Sequence, residues 1–295
     1  MKFLPEPIER ALVRHFAQSG EVLIINDFSY SSGGCINSAG VIESNLGLMF
    51  VKWNNRHQFP GMFESESKGL NLLREPGVIR VPKPITHGEE DSYSFLLTEF
   101  IQSTARSKTY WELLGEQLAA LHRNSSDRFG LDHNNYIGSL FQINTQVNDW
   151  LEFYIQHRLE YQLKLAVDKG KIEKGINAKF QKFYKELSTV LPTGEPPNLV
   201  HGDLWSGNLM TGSEGEPVIF DPAVYFGHRE VDLAMTKLFG GFSSRFYDVY
   251  NETFPLKPGI NERIEIYQLY PLLVHVNLFG GGYGSQVKAI LNRYT

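Results

Sequence analysis

Hydrophobic and polar positions alternate in two regimes along the chain, and the change between them predicts its organisation. Over residues 5–17 the apolar residues Ile8, Leu12 and Phe16 recur at helical spacing, so one stripe of a helix is expected there. "EVLIIN" (21–26) and "LGLMFVKW" (46–53) read as strands, the second apolar throughout except for Lys52. Between them "SYSSGGCINSAG" (29–40) reads as a turn-rich link. "FESESKGLNLLREPG" (63–77) predicts a short helix stopped by Pro76-Gly77, and "SYSFLLTEFI" (92–101) predicts a further strand.

From about residue 103 the helical period takes over. Thr109 and Glu112 have capping-box spacing ahead of "LLGEQLAALHRN". Residues 148–168 read as one long amphipathic helix, with Leu151, Ile155, Leu159 and Leu163 on one stripe and Glu152, Gln156, Glu160 and Lys164 on the other. A helix is expected over 177–190, then a hairpin in which "GSEGE" (212–216) turns into the strand "PVIFD", then helical patterns. The glycines of "LFGGGYG" (278–284) read as a helix end. Strands gathered early and helices late predict an α+β fold with two lobes, residues 1–101 and 102–295.

Bulk numbers narrow this only a little. The 295 residues suffice for two cores, and 42% hydrophobic with 21% charged residues is an ordinary globular balance. A net charge of −5 speaks against a nucleic-acid partner. One cysteine, Cys35, cannot form an internal disulfide, which favours a reducing compartment. With no signal-peptide core and no membrane-length apolar run, a cytoplasmic location and no membrane partner are expected.

The candidate chemistry lies in "LVHGDLWSGNLM" (199–210). His201-Gly202-Asp203-Leu204-x-x-x-Asn208 has the spacing of a phosphotransferase catalytic loop. In such a loop the Asp accepts the proton of the attacking hydroxyl, and the Asn offers a neutral oxygen to a hard cation. Asp203 is therefore the candidate base. Thirteen residues past Asn208, the predicted hairpin folds Asp221 back as a second metal ligand. Upstream, Glu66 shares the apolar face of its helix with Phe63, Leu70 and Leu73. Leaving such a carboxylate buried without a partner would cost about 3–5 kcal/mol. Lys52, the odd charge in an apolar strand, is its natural partner and a phosphate-binding candidate.

Taken together, "GGCIN" (33–37), "FVKWN" (50–54), "FESESKGL" (63–70), "VPKPI" (81–85), "LGEQLAALH" (114–122), "HGDLWSGN" (201–208), "FDPAVYFGHREVDLAM" (220–235) and "YQLYPLLVHVNLFGGGY" (267–283) resemble the fructosamine kinase (ketosamine-3-kinase) family. That family lies in the protein-kinase-like superfamily with the aminoglycoside phosphotransferases. The resemblance implies a two-lobed kinase-like fold, a small antiparallel-sheet lobe and a larger helical one. It implies an ATP- and Mg²⁺-dependent transfer of phosphate to the O3 hydroxyl of a small-molecule or protein-bound ketosamine, leading to deglycation. It places Gly33, Gly34, Cys35, Ile36 and Asn37 over the ATP phosphates, and the Glu99-Phe100-Ile101 link at the adenine, through the backbone of Glu99 and Ile101. Trp205 and Tyr225 become candidate walls of the acceptor site; His201 and Asp232 become structural supports of the loop. Cys35 in the phosphate loop raises the further expectation of a redox-linked dimer. Competing readings are another small-molecule kinase, acting on an aminoglycoside, choline or a methylthio-sugar, and a catalytically dead scaffold.

Overall fold

The computed structural model describes residues 4–31, 37–192 and 194–294. Its first part is a helix, α1 (Glu6–Gln18), followed by β1 (Ile25–Tyr30), β2 (Ser38–Ser44), β3 (Gly47–Asn55), α2 (Met62–Arg74), β4 (Pro84–Glu90) and β5 (Tyr93–Glu99). The five strands form one antiparallel sheet in the order β1-β2-β3-β5-β4. Strand side chains alternate between faces, and both faces are used. Met49, Val51 and Trp53 of β3 and Phe95 and Leu97 of β5 pack with Ile8, Leu12 and Phe16 of α1. Leu96 belongs instead to the core of Phe63, Leu70 and Leu73 of α2. Lys52, out of phase with Met49, Val51 and Trp53, is carried to the α2 side by the same alternation.

Three strand expectations are corrected. The segment 21–24 is not a strand; β1 begins at Ile25, and Val22 and Ile24 are exposed. Asn45 instead ties that segment down, donating its Nδ2–H to the Val22 carbonyl and accepting the Ile24 N–H at its Oδ1. β2 emerges from what reads as the end of a link. β4 is an edge strand, half-exposed and polar, so it carries no apolar run to betray it.

The second part holds α3 (Tyr110–His122), the hairpin β6 (Asn135–Ile137) and β7 (Leu140–Gln142), α4 (Trp150–Phe153), α5 (Tyr161–Asp168), α6 (Ile176–Val190), β8 (Asn198–Val200), β9 (Leu209–Thr211), β10 (Pro217–Ile219), β11 (Tyr225–Gly227), α7 (Glu230–Leu238), α8 (Ser244–Thr253), α9 (Ile260–Phe279) and α10 (Tyr283–Leu291). α9 is its axis: Ile264, Ile266, Leu269, Leu272, Leu273 and Val276 are all buried, so it is apolar nearly all round. It packs against α5, α7 and α10. The expected fold class, α+β with an antiparallel sheet followed by helices, is the one observed.

Two helix expectations change. Thr109 precedes α3 but makes no side-chain cap, and Glu112 pairs with Arg245 at 3.3 Å instead. The expected helix over 148–168 is continuous but widens between α4 and α5 into a π-helix, Tyr154–Glu160. The wider turn rotates the apolar stripe. Leu159 and Leu163 are buried as expected, Leu151 and Ile155 only half-buried, and Phe153, Tyr154 and Arg158 take the inner face. Glu152, Gln156, Glu160 and Lys164 lie on the exposed face.

Candidate active site

Two short ladders build the site. β8 pairs with β11 and β9 with β10, both antiparallel. The segment from His201 to Asn208 joins β8 to β9; the segment from Phe220 to Val224 joins β10 to β11. Because the ladders close both ends, the two segments are forced to lie side by side. Their backbones bond directly: Ala223 N–H donates to the His201 carbonyl at 2.9 Å, and Phe220 N–H to the Asn208 carbonyl at 3.1 Å. Gly202 sits where they are closest, at φ +81°, and a Cβ there would run into the Ala223 carbonyl. Only glycine meets both demands at little cost.

The predicted site residues converge across this seam. Asn208 Nδ2 donates to the Asp203 carbonyl (2.9 Å), to Asp203 Oδ2 (3.1 Å) and to the Asp221 carbonyl (3.3 Å). Its amide oxygen has no hydrogen-bond partner among the described residues and is not sealed from solvent. Asp221 holds a left-handed backbone at φ +54°, uncommon for a residue with a Cβ and a form of strain that gathers at functional sites. From the sheet, Lys52 Nζ donates to Glu66 Oε1 at 2.8 Å and to Asp221 Oδ1. Lys52 and Glu66 side chains are only 12% and 11% exposed, so each is the compensation for the other's burial.

Charge follows geometry. Burial alone would lower the Lys52 pKa; Asp221, then Glu66, outweigh it and hold the ammonium above its ordinary value. Burial raises Glu66, against the pull of Lys52. Burial, then repulsion from Asp221, raises Asp203 well above the usual carboxylate range, with the Asn208 hydrogen bond opposing. A carboxylate shifted upward is a better proton acceptor, the direction a general base needs.

Behind the loop stands Asp232, in the first turn of α7 and fully buried. Its Oδ2 accepts the His201 N–H (2.7 Å) and the His122 Nε2–H (3.1 Å); its Oδ1 accepts the Gly202 N–H (2.9 Å). Burial would raise it, but His122 and His201 outweigh that and hold it below its ordinary value. His201, also fully buried, donates Nε2–H to the Phe220 carbonyl at 3.0 Å and accepts the Asp203 N–H at Nδ1, 3.3 Å. Those two bonds fix a neutral tautomer, in keeping with the lowering of its pKa by burial. Both residues therefore hold backbone.

The remaining candidates divide. Trp205 is 39% exposed beside Asp203, its ring lying over Gly207. Tyr225, expected on a substrate wall, is 1% exposed, packed against Phe153 and under the Arg158 guanidinium at 4.0 Å. The Glu99 N–H is taken by the Lys83 carbonyl and its side chain by Arg80 and the Lys83 N–H, whereas the backbones of Phe100 and Ile101 make no hydrogen bond to the described residues. Asn37 accepts from Asn54 Nδ2 at 3.0 Å. Gly33, Gly34, Cys35 and Ile36 lie outside the described residues, and the dimer expected through Cys35 lies there with them.

Among the described residues no three His, Cys, Asp or Glu side chains are grouped as a self-sufficient metal cage. The unpartnered Asn208 amide oxygen and the Asp221 carboxylate, 41% exposed, offer two oxygens to a cation. Such a set suits Mg²⁺, which keeps few protein ligands and completes its shell with water and substrate phosphates.

Comparison with known proteins now decides the family. The family model for fructosamine kinase matches residues 9–295. The chain belongs to the fructosamine kinase family. A Synechocystis sp. protein described as a probable ketoamine kinase is 39% identical over 290 residues, covering 98% of this chain and 97% of its own. The chloroplastic protein-ribulosamine 3-kinase of Arabidopsis thaliana is 41% identical over 282 residues, covering 93% and 84%. A crystal structure described as a fructosamine-3-kinase from Haemophilus somnus superposes with a TM-score of 0.88 at 30% identity, covering 96% of each chain. An aminoglycoside phosphotransferase shares the fold at 16% identity, with a TM-score of 0.62 over 99% of this chain and 100% of its own.

Within this fructosamine kinase fold, Arg158 escapes sequence reasoning. It is fully buried, donating Nη1–H to the Ile143 carbonyl (2.6 Å) and Nη2–H to Asn144 Oδ1 (2.7 Å). From Asn144 a buried relay runs through Asn135 and Gln142 to the carbonyls of Val224 and Ala223, under the Asp221 segment. Its sequence signal is a lone arginine among alternating polar and apolar helical positions, and the π turn conceals which face it takes.

Proposed function

We propose that this protein transfers the γ-phosphoryl group of ATP to the O3 hydroxyl of a ketosamine, a fructosamine or ribulosamine adduct of an amine. The observation that carries the reading is the seam itself: Asp203, Asn208, Asp221 and Lys52, from three separate segments, meet around two facing loops. Family membership and relatives described as ketoamine and protein-ribulosamine kinases support the substrate class.

Each group has a task. Asp203 takes the proton of the attacking hydroxyl, its basicity raised by burial. Lys52 holds the nucleotide phosphates and is itself held by Glu66. Asn208 and Asp221 would hold Mg²⁺, which would neutralise charge on the phosphate oxygens when bound. Asp232 and His201 keep the loop backbone fixed. The resemblance assigns residues 33–37 to the phosphates and the Glu99-Phe100-Ile101 link to the adenine, and the backbones of Phe100 and Ile101, unpaired among the described residues, are free to serve it. The two lobes are assigned to residues 1–101 and 102–295, with the nucleotide between them. A phosphate at O3 is poised to leave once the neighbouring carbonyl enolises, so the product falls apart and frees the amine. No helix among the described residues is long and apolar enough to cross a membrane, and with the single cysteine this supports a cytoplasmic location.

The test is ATP turnover against a panel of ribulosamines, fructosamines, aminoglycosides and choline, with Asp203→Asn as the blank. Ketosamine-dependent turnover lost in the blank is expected. Turnover of an antibiotic or choline without any ketosamine would replace the substrate; no Asp203-dependent turnover at all would make the protein a scaffold.

A further inference from the structure

Five aromatic rings form an unbroken path that starts two residues from Asp203. Trp205 meets Phe239 edge-on, centroids 6.1 Å apart, and Phe239 meets His275 at 4.7 Å. His275 in turn meets Phe279 at 5.5 Å and Tyr283 at 5.0 Å. The rings come from separate elements: the catalytic loop, the end of α7, the last turns of α9 and the start of α10. Gly241, at φ +91°, brings the segment after Phe239 close against Ser206; a Cβ there would approach the Ser206 Cβ to 2.8 Å. Trp205, Phe239 and Phe279 nevertheless stay 39%, 37% and 56% exposed. Exposed rings gathered in one contiguous patch mark a binding surface.

His275 gives the path its chemistry. Its Nδ1–H donates to the Pro271 carbonyl at 2.8 Å, since a carbonyl can only accept. The other nitrogen, Nε2, therefore carries a lone pair. It has no partner among the described residues and is not sealed from solvent. Burial lowers the His275 pKa against that hydrogen bond, which favours the neutral ring. Electron-rich aromatic rings beside a neutral acceptor nitrogen suit a substituted ammonium, which is attracted to ring faces.

We propose that Trp205, Phe239, His275, Phe279 and Tyr283 form the subsite for the protonated secondary amine of the acceptor. The rings face the ammonium and its methylene groups, and His275 Nε2 accepts its N–H. This rests on the ketosamine reading. In a ketosamine the nitrogen on C1 lies two carbons from the hydroxyl on C3, so an amine seated against Phe239, between Trp205 and His275, leaves O3 on the Asp203 side. The amine carrier then runs outward over Phe279, the most exposed ring. A sugar without the amine forfeits these contacts, so the subsite separates adducts from free sugars.

The test compares an N-linked ketosamine with its O-linked isostere, the same ketose bearing an alkyl ether at C1. Affinities are measured by calorimetry on the full chain with ADP bound. The wild type should favour the N-linked compound at least tenfold. His275→Leu should cut that preference below threefold, and Phe279→Ser, at a site too exposed to threaten folding, should reduce it several-fold, with ADP affinity as the control. Equal affinities in the wild type, or a preference that survives both substitutions, overturns the subsite. The ketosamine-kinase reading fails separately: it is lost if the binding preference is intact but neither compound receives phosphate.

Discussion

Replacing Asp232 by Asn changes no volume and removes one charge, so its effect can be worked out from the hydrogen bonds. The carboxylate accepts three: from His201 N–H, His122 Nε2–H and Gly202 N–H. An amide keeps one oxygen. Turned so that it still serves His201 and His122, it presents its NH₂ to the Gly202 N–H, donor against donor. Gly202 cannot move away, because its backbone is pinned against Ala223. A buried, unsatisfied N–H costs about 1–3 kcal/mol, and the two surviving bonds lose their charge assistance, together about 2–4 kcal/mol. For a chain of this size that lowers the melting temperature by roughly 3–6 °C. Loosening the loop by even an ångström should lower kcat by about 10²-fold. Asp232 is also one of the charges raising Asp203, so its removal lowers the Asp203 pKa and moves the acid limb of kcat/KM to lower pH. Urea unfolding and a pH–rate profile read both effects. A stability change under 0.5 kcal/mol with an unmoved acid limb would refute the brace.

Gly202→Ala should be worse than its one methyl suggests: about 1–2 kcal/mol for the left-handed backbone, plus displacement of the Ala223 carbonyl, seen in urea melts as a loss of about 3 kcal/mol or more. Gly207→Ala is the contrast, since the three atoms nearest its Cβ all belong to the movable Trp205 ring; acceptor KM should rise several-fold with a smaller loss of stability. His228, stacked on Trp150 at 4.5 Å, has its pKa lowered by burial to about 3. Its folded pKa lies below the unfolded value near 6.5, so the native state binds fewer protons between those limits. Stability is intact above pH 6.5 and falls as the unfolded state protonates, by about 1.4 kcal/mol per pH unit once well below 6.5. His228→Phe should make the pH 6 to 5 slope shallower by about that amount; an unchanged slope would contradict the assignment.

The site was more legible than the scaffold around it, for a physical reason. Lys52 and Glu66 each break an apolar pattern, and a buried charge needs a partner, so two anomalies in separate elements point to one contact. Asp221 could be placed because a hairpin has few ways to fold back. β4 could not, since an edge strand has water on one side and no obligation to be apolar. The start of β1 was misread because Val22 and Ile24 look like core while hydrogen bonds to Asn45 hold them at the surface. The packing of the Tyr225 ring under Arg158 was not legible either, since that contact depends on a π turn with no clear signature in the local pattern.

The central claim is that Asp203 takes the proton in phosphoryl transfer. Single-turnover transfer from ATP to a ribulosamine, at saturating concentrations of both, measures that step alone in the wild type and in Asp203→Asn. A fall of about 10²–10⁴ in the transfer rate, with ATP affinity kept within threefold, is the predicted result. Transfer at the wild-type rate without the carboxylate would contradict the account.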